Sequence, residues 1–238
     1  IPTRERSTLP NLDLSGNSVL VDAMDYNGLW ATAFSDAVIE RSPFYDAFGR
    51  KIGAVDLMRV STRAKVGYVS SINAKFLELP IGVDDRYRML FALILDTNDI
   101  DSTVKAIKST IIFELMSKSR LSDVPLDIAI PRFTMTSEVD VRSILESLGV
   151  TSLWTDPVVT RFISDPAALP SGFVQRSTLT LDNRGISPAP YVHETPYNVT
   201  TGLDPIVGRD FIANRPFLFG LVDTETWIVF TKRIEINM

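Results

Sequence analysis

Runs and alternations of apolar residues break this chain into strand-like pieces well before a helix appears. "NSVLVDAMDY", Asn17 to Tyr26, is an apolar run interrupted at Asp22 and Asp25, and it predicts a buried strand ending at the turn Asn27-Gly28. "ERSPFYDAFGRKIGAVDLMRV" follows, with turn signals at Pro43, Gly49 and Gly53 that predict short strands and loops. "AKVGYVSSINAKFLELPI" reads as a hairpin bending near Ser70-Ser71-Ile72-Asn73, and "YRMLFALILD" as a further buried strand.

The period then changes. In "DIDSTVKAIKSTIIFELMSKS", Asp99 to Ser119, Val104, Ile107, Ile111 and Leu115 recur at helical steps, with acids early and lysine late, so an amphipathic helix is predicted. After the strand "LDIAIPRFTM", the stretch "TSEVDVRSILESLG" predicts a second helix. Its N-cap would be Ser137, its apolar stripe Val141, Ile144, Leu145 and Leu148, and its C-terminal glycine Gly149. The chain closes on "RPFLFGLVDTETWIVFTKRIEI", two apolar runs around the polar bend Asp223 to Thr226, a hairpin signature. Many strands, few helices and no βαβ rhythm or internal repeat give an α+β class.

One stretch breaks the pattern. From Gly185 to Arg215 about thirty residues carry four prolines and no sustained period, and loops of that length are commonly functional. Its entrance, "LTLDNRGISPAP", begins as an alternating strand and reaches Pro188 and Pro190 within five residues of Gly185. Each proline removes a ladder donor and fixes φ, so the segment is expected to stay out of a central sheet.

Composition narrows the chemistry. The 238 residues are 45% hydrophobic and 22% charged with a net charge of −5, an ordinary globular profile that offers no basic surface for nucleic acid. Cysteine is absent, which removes disulfides, thiolate metal sites and Cys nucleophiles. A Ser-His-Asp triad or a zinc site would have to use the single histidine, His193, inside the proline-rich stretch, so neither an enzyme nor a cofactor or metal site is expected. The longest apolar run, Met89 to Leu95, is far short of the roughly 20 residues of a membrane span. No signal peptide is visible at Ile1, where the first ten residues hold three charges and two prolines.

Taken in order, these segments resemble the C-terminal half to two-thirds of a serpin. "VLVDAMDYNGLWATAF", with Trp30 and Phe34, is similar to the family's strand and tryptophan-bearing turn. "RSPFYD", "VDLMRV", "AKFLELPI", "MLFALILDTNDID", "IAIPRFTMTSEVDVRSILESLGVTSLW" and "FIANRPFLFGLVDTETWIVFTKRIEIN" follow in the family's order. The resemblance implies a single domain of three β-sheets with helices, of which residues 1–238 supply the C-terminal part, and a reactive-centre-like loop at about 185–210. It also implies an N-terminal portion held to this chain without covalent links, the join lying before Asn17, and a secreted, proteolytically processed protein whose loop meets a protein partner or serine protease.

In the family an inhibitory loop is cut and inserts into the central sheet, and the hinge that enters first is a glycine, a small polar residue and then alanines. Here the hinge reads Gly185, Ile186, Ser187, Pro188, Ala189, Pro190. Bulky Ile186 and two prolines oppose insertion, so a non-inhibitory serpin acting through protein contact, assembly or ligand carriage is expected, with a protease inhibitor as the alternative. The sheet-opening region, besides Trp30, would carry Asp22 and Gln175 where the family has Asn and His; a buried Asp needs a different partner from an amide, unless an Asp-Gln bond replaces the pair. The scissile bond would fall near Val199-Thr200, Arg209 would suit a trypsin-like enzyme, and Asn198 opens a glycosylation sequon.

Overall fold

Apolar runs separated by tight turns pair locally as hairpins, and strands remote in sequence complete each sheet. The structure, a computed structural model, describes residues 18–24, 27–31, 34, 38–84, 86–95, 114, 116–156, 169–187, 210–225 and 229–234. The chain divides into two compact units, residues 1–25 with 135–178 and residues 26–134 with 179–238.

In the second unit, β5 (Lys65–Val69), β6 (Ala74–Ile81), β7 (Tyr87–Ile94), β8 (Arg120–Leu121), β14 (Phe217–Asp223) and β15 (Val229–Ile234) form a six-stranded sheet in the order β15-β14-β7-β6-β5-β8. β7 lies between β6 and β14, and Met89 to Ile94 are all buried, which is why this strand reads as an unbroken apolar run. The bends at Ser70–Ile72 and after Asp223 fall where the sequence places them. Phe91, Phe217, Leu77 and Met89 are fully buried, each worth about 1.5–3 kcal/mol of transfer free energy. Inside this sheet Glu78 is buried and is shared by Arg88 and by Lys65, whose Nζ lies 3.3 Å from Oε1.

A four-stranded sheet has the order β13-β9-β4-β3, from β3 (Val38–Tyr45), β4 (Lys51–Thr62), β9 (Leu126–Pro131) and β13 (Asp210–Ile212). Here the sequence expectation of several short strands is corrected: Pro43 and Gly53 lie inside two long strands joined by one turn. Pro43 is tolerated because β3 is an edge strand, and Gly53 sits opposite the buried Phe44.

The third sheet comprises β1 (Ser18–Met24), β2 (Gly28–Leu29), β10 (Phe133–Asp140), β11 (Pro170–Leu181) and β12 (Gly185–Ser187). In the first unit, β1 runs parallel to β11 from Ser18↔Pro170 to Met24↔Ser177. The expected burial of β1 is not met: Leu20 and Val21 are 37% and 43% exposed, and no described element covers them. The second predicted helix begins later than expected. Ser137 lies in β10, and Asp140 is the N-cap of α1 (Val141–Ser147), accepting from the Ser143 N–H. Gly149 does adopt the left-handed conformation after the helix, at φ 87°. The apolar stripe is only partly covered, with Ile144 and Leu148 exposed. A short α2 (Ser152–Thr155) follows, and Arg142 stacks over the buried Trp154 ring at 5.2 Å. Of the first predicted helix, Glu114 and Met116 to Lys118 are helical; the rest lies outside the described residues. No helix among the described residues is long and apolar enough to cross a membrane.

Candidate hinge site

β11 ends at Leu181 and the chain turns back at once. Asp182 and Gly185 exchange backbone hydrogen bonds at 2.9 and 3.2 Å, enclosing the two-residue turn Asn183-Arg184. The Asp182 carboxylate holds the turn from inside, accepting from the N–H groups of Arg184 at 2.8 Å and Gly185 at 3.2 Å, while its other oxygen takes the Arg184 guanidinium at 2.9 Å. An Asx side chain bonding forward to its own turn is a common way to fix a reversal.

The strand that emerges, β12, is short but fully seated. Thr180 pairs with Ser187 and Leu181 with Ile186 on one side; Gly185 pairs with Leu29 and Ile186 with Gly28 on the other. Gly185 has φ 149°, and a Cβ built on it would stand 2.0 Å from the Gly28 carbonyl oxygen, so only glycine fits. Ile186 is 2% exposed. The expectation that its bulk keeps it out of the sheet is therefore corrected: the cavity between these strands takes an isoleucine.

Trp30 closes the site. Its indole Nε1 donates to the Asp182 carbonyl at 2.8 Å, its backbone N–H donates to the Arg184 carbonyl at 2.9 Å, and its ring lies 5.1 Å from that of Phe34, which is wholly buried. Ala31 donates to the Pro80 carbonyl and Gly82 to that of Leu29, tying this segment to the end of β6. The turn is thus clamped by backbone and by one aromatic side chain.

A sequence profile described as "Serpin (serine protease inhibitor)" matches residues 6–234. The chain belongs to the serpin family. Serpin B11 of Mus musculus is 24% identical over 224 residues, covering 93% of this chain and 56% of its own length. Plasminogen activator inhibitor 2 of Homo sapiens is 24% identical over 236 residues, covering 92% and 54%. Among solved structures, uncleaved ovalbumin superposes with a TM-score of 0.68 at 21% identity over 87% of this chain and 54% of that one. Native protease nexin-1 with heparin gives 0.67 at 22%, over 92% and 56%. This serpin chain therefore spans about half the length of the curated relatives it matches, and its three sheets are those of the C-terminal part of the serpin fold.

The residues anticipated at the hinge of this serpin separate into seen and unseen. Gly185, Ile186 and Ser187 form β12, and Trp30 packs on its turn. Asp22 and Gln175 are register partners in β1 and β11, and the Gln175 amide donates to Asp22 at 2.7 Å. The expectation of a buried Asp22 is corrected, since it is solvent-exposed; the amide-carboxylate bond itself is formed. Pro188, Ala189, Pro190, Asn198, Val199, Thr200 and Arg209 lie outside the described residues. Sequence reading missed Asp182 and Gly28. The first was legible as the Asx of "DNRG"; the second left no signal, because its importance is a close approach from a residue 157 positions away.

Proposed function

We propose that this serpin is non-inhibitory and that its loop acts in protein contact, assembly or ligand carriage. What carries the reading is the register of β12 together with the residues that follow it. If insertion continued the observed pairing of Thr180↔Ser187 and Leu181↔Ile186, Pro188 would fall opposite Leu179 and Pro190 opposite Ser177. An inserting loop would thus bring two residues without an N–H into the sheet, leaving carbonyl acceptors unpaired at about 1–3 kcal/mol each, before counting ring clashes. Ser177 is moreover already the partner of Met24 in β1, so insertion would have to break that ladder as well.

The second reading is a protease inhibitor working by loop cleavage and insertion. It is favoured by β12 itself, since the first three hinge residues already occupy the sheet, and by relatives whose names declare inhibition, such as plasminogen activator inhibitor 2 and antichymotrypsin-2 of Bombyx mori. In that reading Val199-Thr200 or Arg209 holds the scissile bond. Both readings take residues 1–238 as the C-terminal part of one serpin domain, joined without disulfides to an N-terminal portion. An extracellular setting with a glycan at Asn198 belongs to the proposal and rests on the sequon and the family.

Thermal unfolding of the full-length protein, before and after a limited cut within Tyr191 to Arg209, separates the two. An unchanged or lowered midpoint is expected. A large rise would mean that the loop inserts despite its prolines, and the inhibitor reading would replace this one. The Pro188→Ala/Pro190→Ala variant serves as the control, since it restores two donors and is expected to rise on cleavage where the natural sequence does not.

A further inference from the structure

Of the nine asparagines in the chain only Asn27 is followed by glycine. In that dipeptide a backbone nitrogen attacks the preceding side-chain amide most readily, because glycine places no Cβ beside its own nitrogen. Asn27 is exposed and stands immediately before β2. β2 is two residues long, and both of them pair with the hinge strand β12. The asparagine whose backbone neighbour is the most reactive therefore adjoins the hinge.

The ladder decides whether the Gly28 nitrogen is available. The Trp30 N–H donates to the Arg184 carbonyl at 2.9 Å, and hydrogen-bonded positions alternate along an antiparallel pair. Gly28 and Ile186, each two residues further along the ladder, are thus the next hydrogen-bonded pair. The Gly28 N–H donates to the Ile186 carbonyl, and the Gly28 carbonyl accepts from the Ile186 N–H. Closing a ring onto the Asn27 amide requires the Gly28 nitrogen to lose its proton and the Asn27-Gly28 peptide plane to swing toward the side chain. Both requirements break the ladder at this pair. Beyond Gly28, the Leu29 carbonyl accepts from the Gly82 N–H and the Ala31 N–H donates to the Pro80 carbonyl, so the following residues resist that swing.

We propose that Asn27 is a deamidation site gated by β12. When β12 leaves the sheet, the Gly28 nitrogen attacks the Asn27 side-chain carbonyl carbon, the amide C–N bond breaks and ammonia leaves. Water then opens the resulting succinimide at either carbonyl, giving aspartate or isoaspartate, and no oxidant or cofactor takes part. Isoaspartate routes the backbone through Cβ, which adds one methylene and a free carboxylate directly ahead of β2. A strand of two residues has no further pair with which to absorb that displacement, so Ile186 loses its partner and β12 does not reseat. The reaction turns a transient opening of the hinge into a permanent one, whatever the loop binds.

The test is an ageing experiment on the full-length protein in mildly alkaline buffer, with conversion at each asparagine followed by tandem mass spectrometry and isoaspartate by enzymatic methyl labelling. In the native protein conversion at Asn27 is expected to be about tenfold slower than in the same protein held in guanidinium, the protection conferred by local structure. Gly185→Ala is expected to remove most of that protection at Asn27 while leaving Asn73 and Asn214 unchanged, which separates unseating of β12 from global unfolding. Should all three asparagines convert faster in that variant, the milder Ile186→Ala is read in its place. Aged natural protein is expected to be cut by trypsin after Arg184 faster than fresh protein, and aged Asn27→Gln is not. Equal conversion at Asn27 in native and denatured protein, no gain there from either hinge variant, or a cutting rate unchanged by ageing would overturn the proposal.

Discussion

Gly185 shows how one missing Cβ can decide the state of a loop. A Cβ on residue 185 would stand 2.0 Å from the Gly28 carbonyl oxygen, so Gly185→Ala must expel β12 or push β2 aside. The variant is expected to unfold at a lower temperature and to be cut faster by trypsin after Arg184, as read on a gel time course. Trp30→Phe asks a gentler question at the same place: it keeps the ring near Phe34 but removes the donor to the Asp182 carbonyl. Loss of that bond is expected to cost about 1–2 kcal/mol in urea unfolding, less than Gly185→Ala costs. If Gly185→Ala left trypsin sensitivity and midpoint unchanged, the seating of β12 described above would be wrong. Asp182 was readable as an Asx turn in advance, whereas the fit of Ile186 was not, because its cavity is made by strands remote in sequence.

Strands were legible where one residue's environment repeats along the element. β7 announced itself by seven consecutive apolar residues, and β14 with β15 by a polar bend between apolar runs. Proline and glycine misled in β3 and β4, since a sequence does not say which strand will be the sheet edge. The late start of α1 has a similar origin: Ser137 and Asp140 are both good N-caps, and pairing of β10 with β11, helped by Thr136-Thr178 and Thr134-Thr180 hydroxyl contacts at 3.1 and 3.0 Å, claimed the first of them. Glu78 was likewise hidden in "AKFLELPI" as an ordinary polar position. Its side chain is 2% exposed and shared by Arg88 and Lys65 across neighbouring strands. Glu78→Ala takes away the carboxylate that balances a buried guanidinium and is expected to lower unfolding free energy by about 3–5 kcal/mol, whereas Glu78→Leu with Arg88→Met recovers most of that loss. Equal destabilisation by the single and the double variant in guanidinium titrations would count against the pair as the cause.

On the scale of the whole chain, large apolar side chains remain exposed in both units. Leu20, Val21, Ile144 and Leu148 in the first unit are all more than a third exposed, and so are Leu29, Val38, Tyr68 and Leu121 on strands of the second. Residues 1–238 produced by themselves are therefore expected to self-associate and to bind a hydrophobic dye, and addition of the N-terminal portion of the same domain is expected to suppress both, measured by light scattering and dye fluorescence. A monodisperse, dye-silent chain would remove the main physical support for a missing partner portion. The pairing of β7 with β14 has a consequence in time as well as in space. Phe91 meets Phe219, 128 residues later, so one edge of a strand buried from Met89 to Ile94 waits for a segment far downstream to leave the ribosome. At roughly 5–20 residues per second that is an interval of about 6 to 26 seconds, during which a nascent chain displays an apolar strand edge that chaperones, or another nascent copy, can reach first.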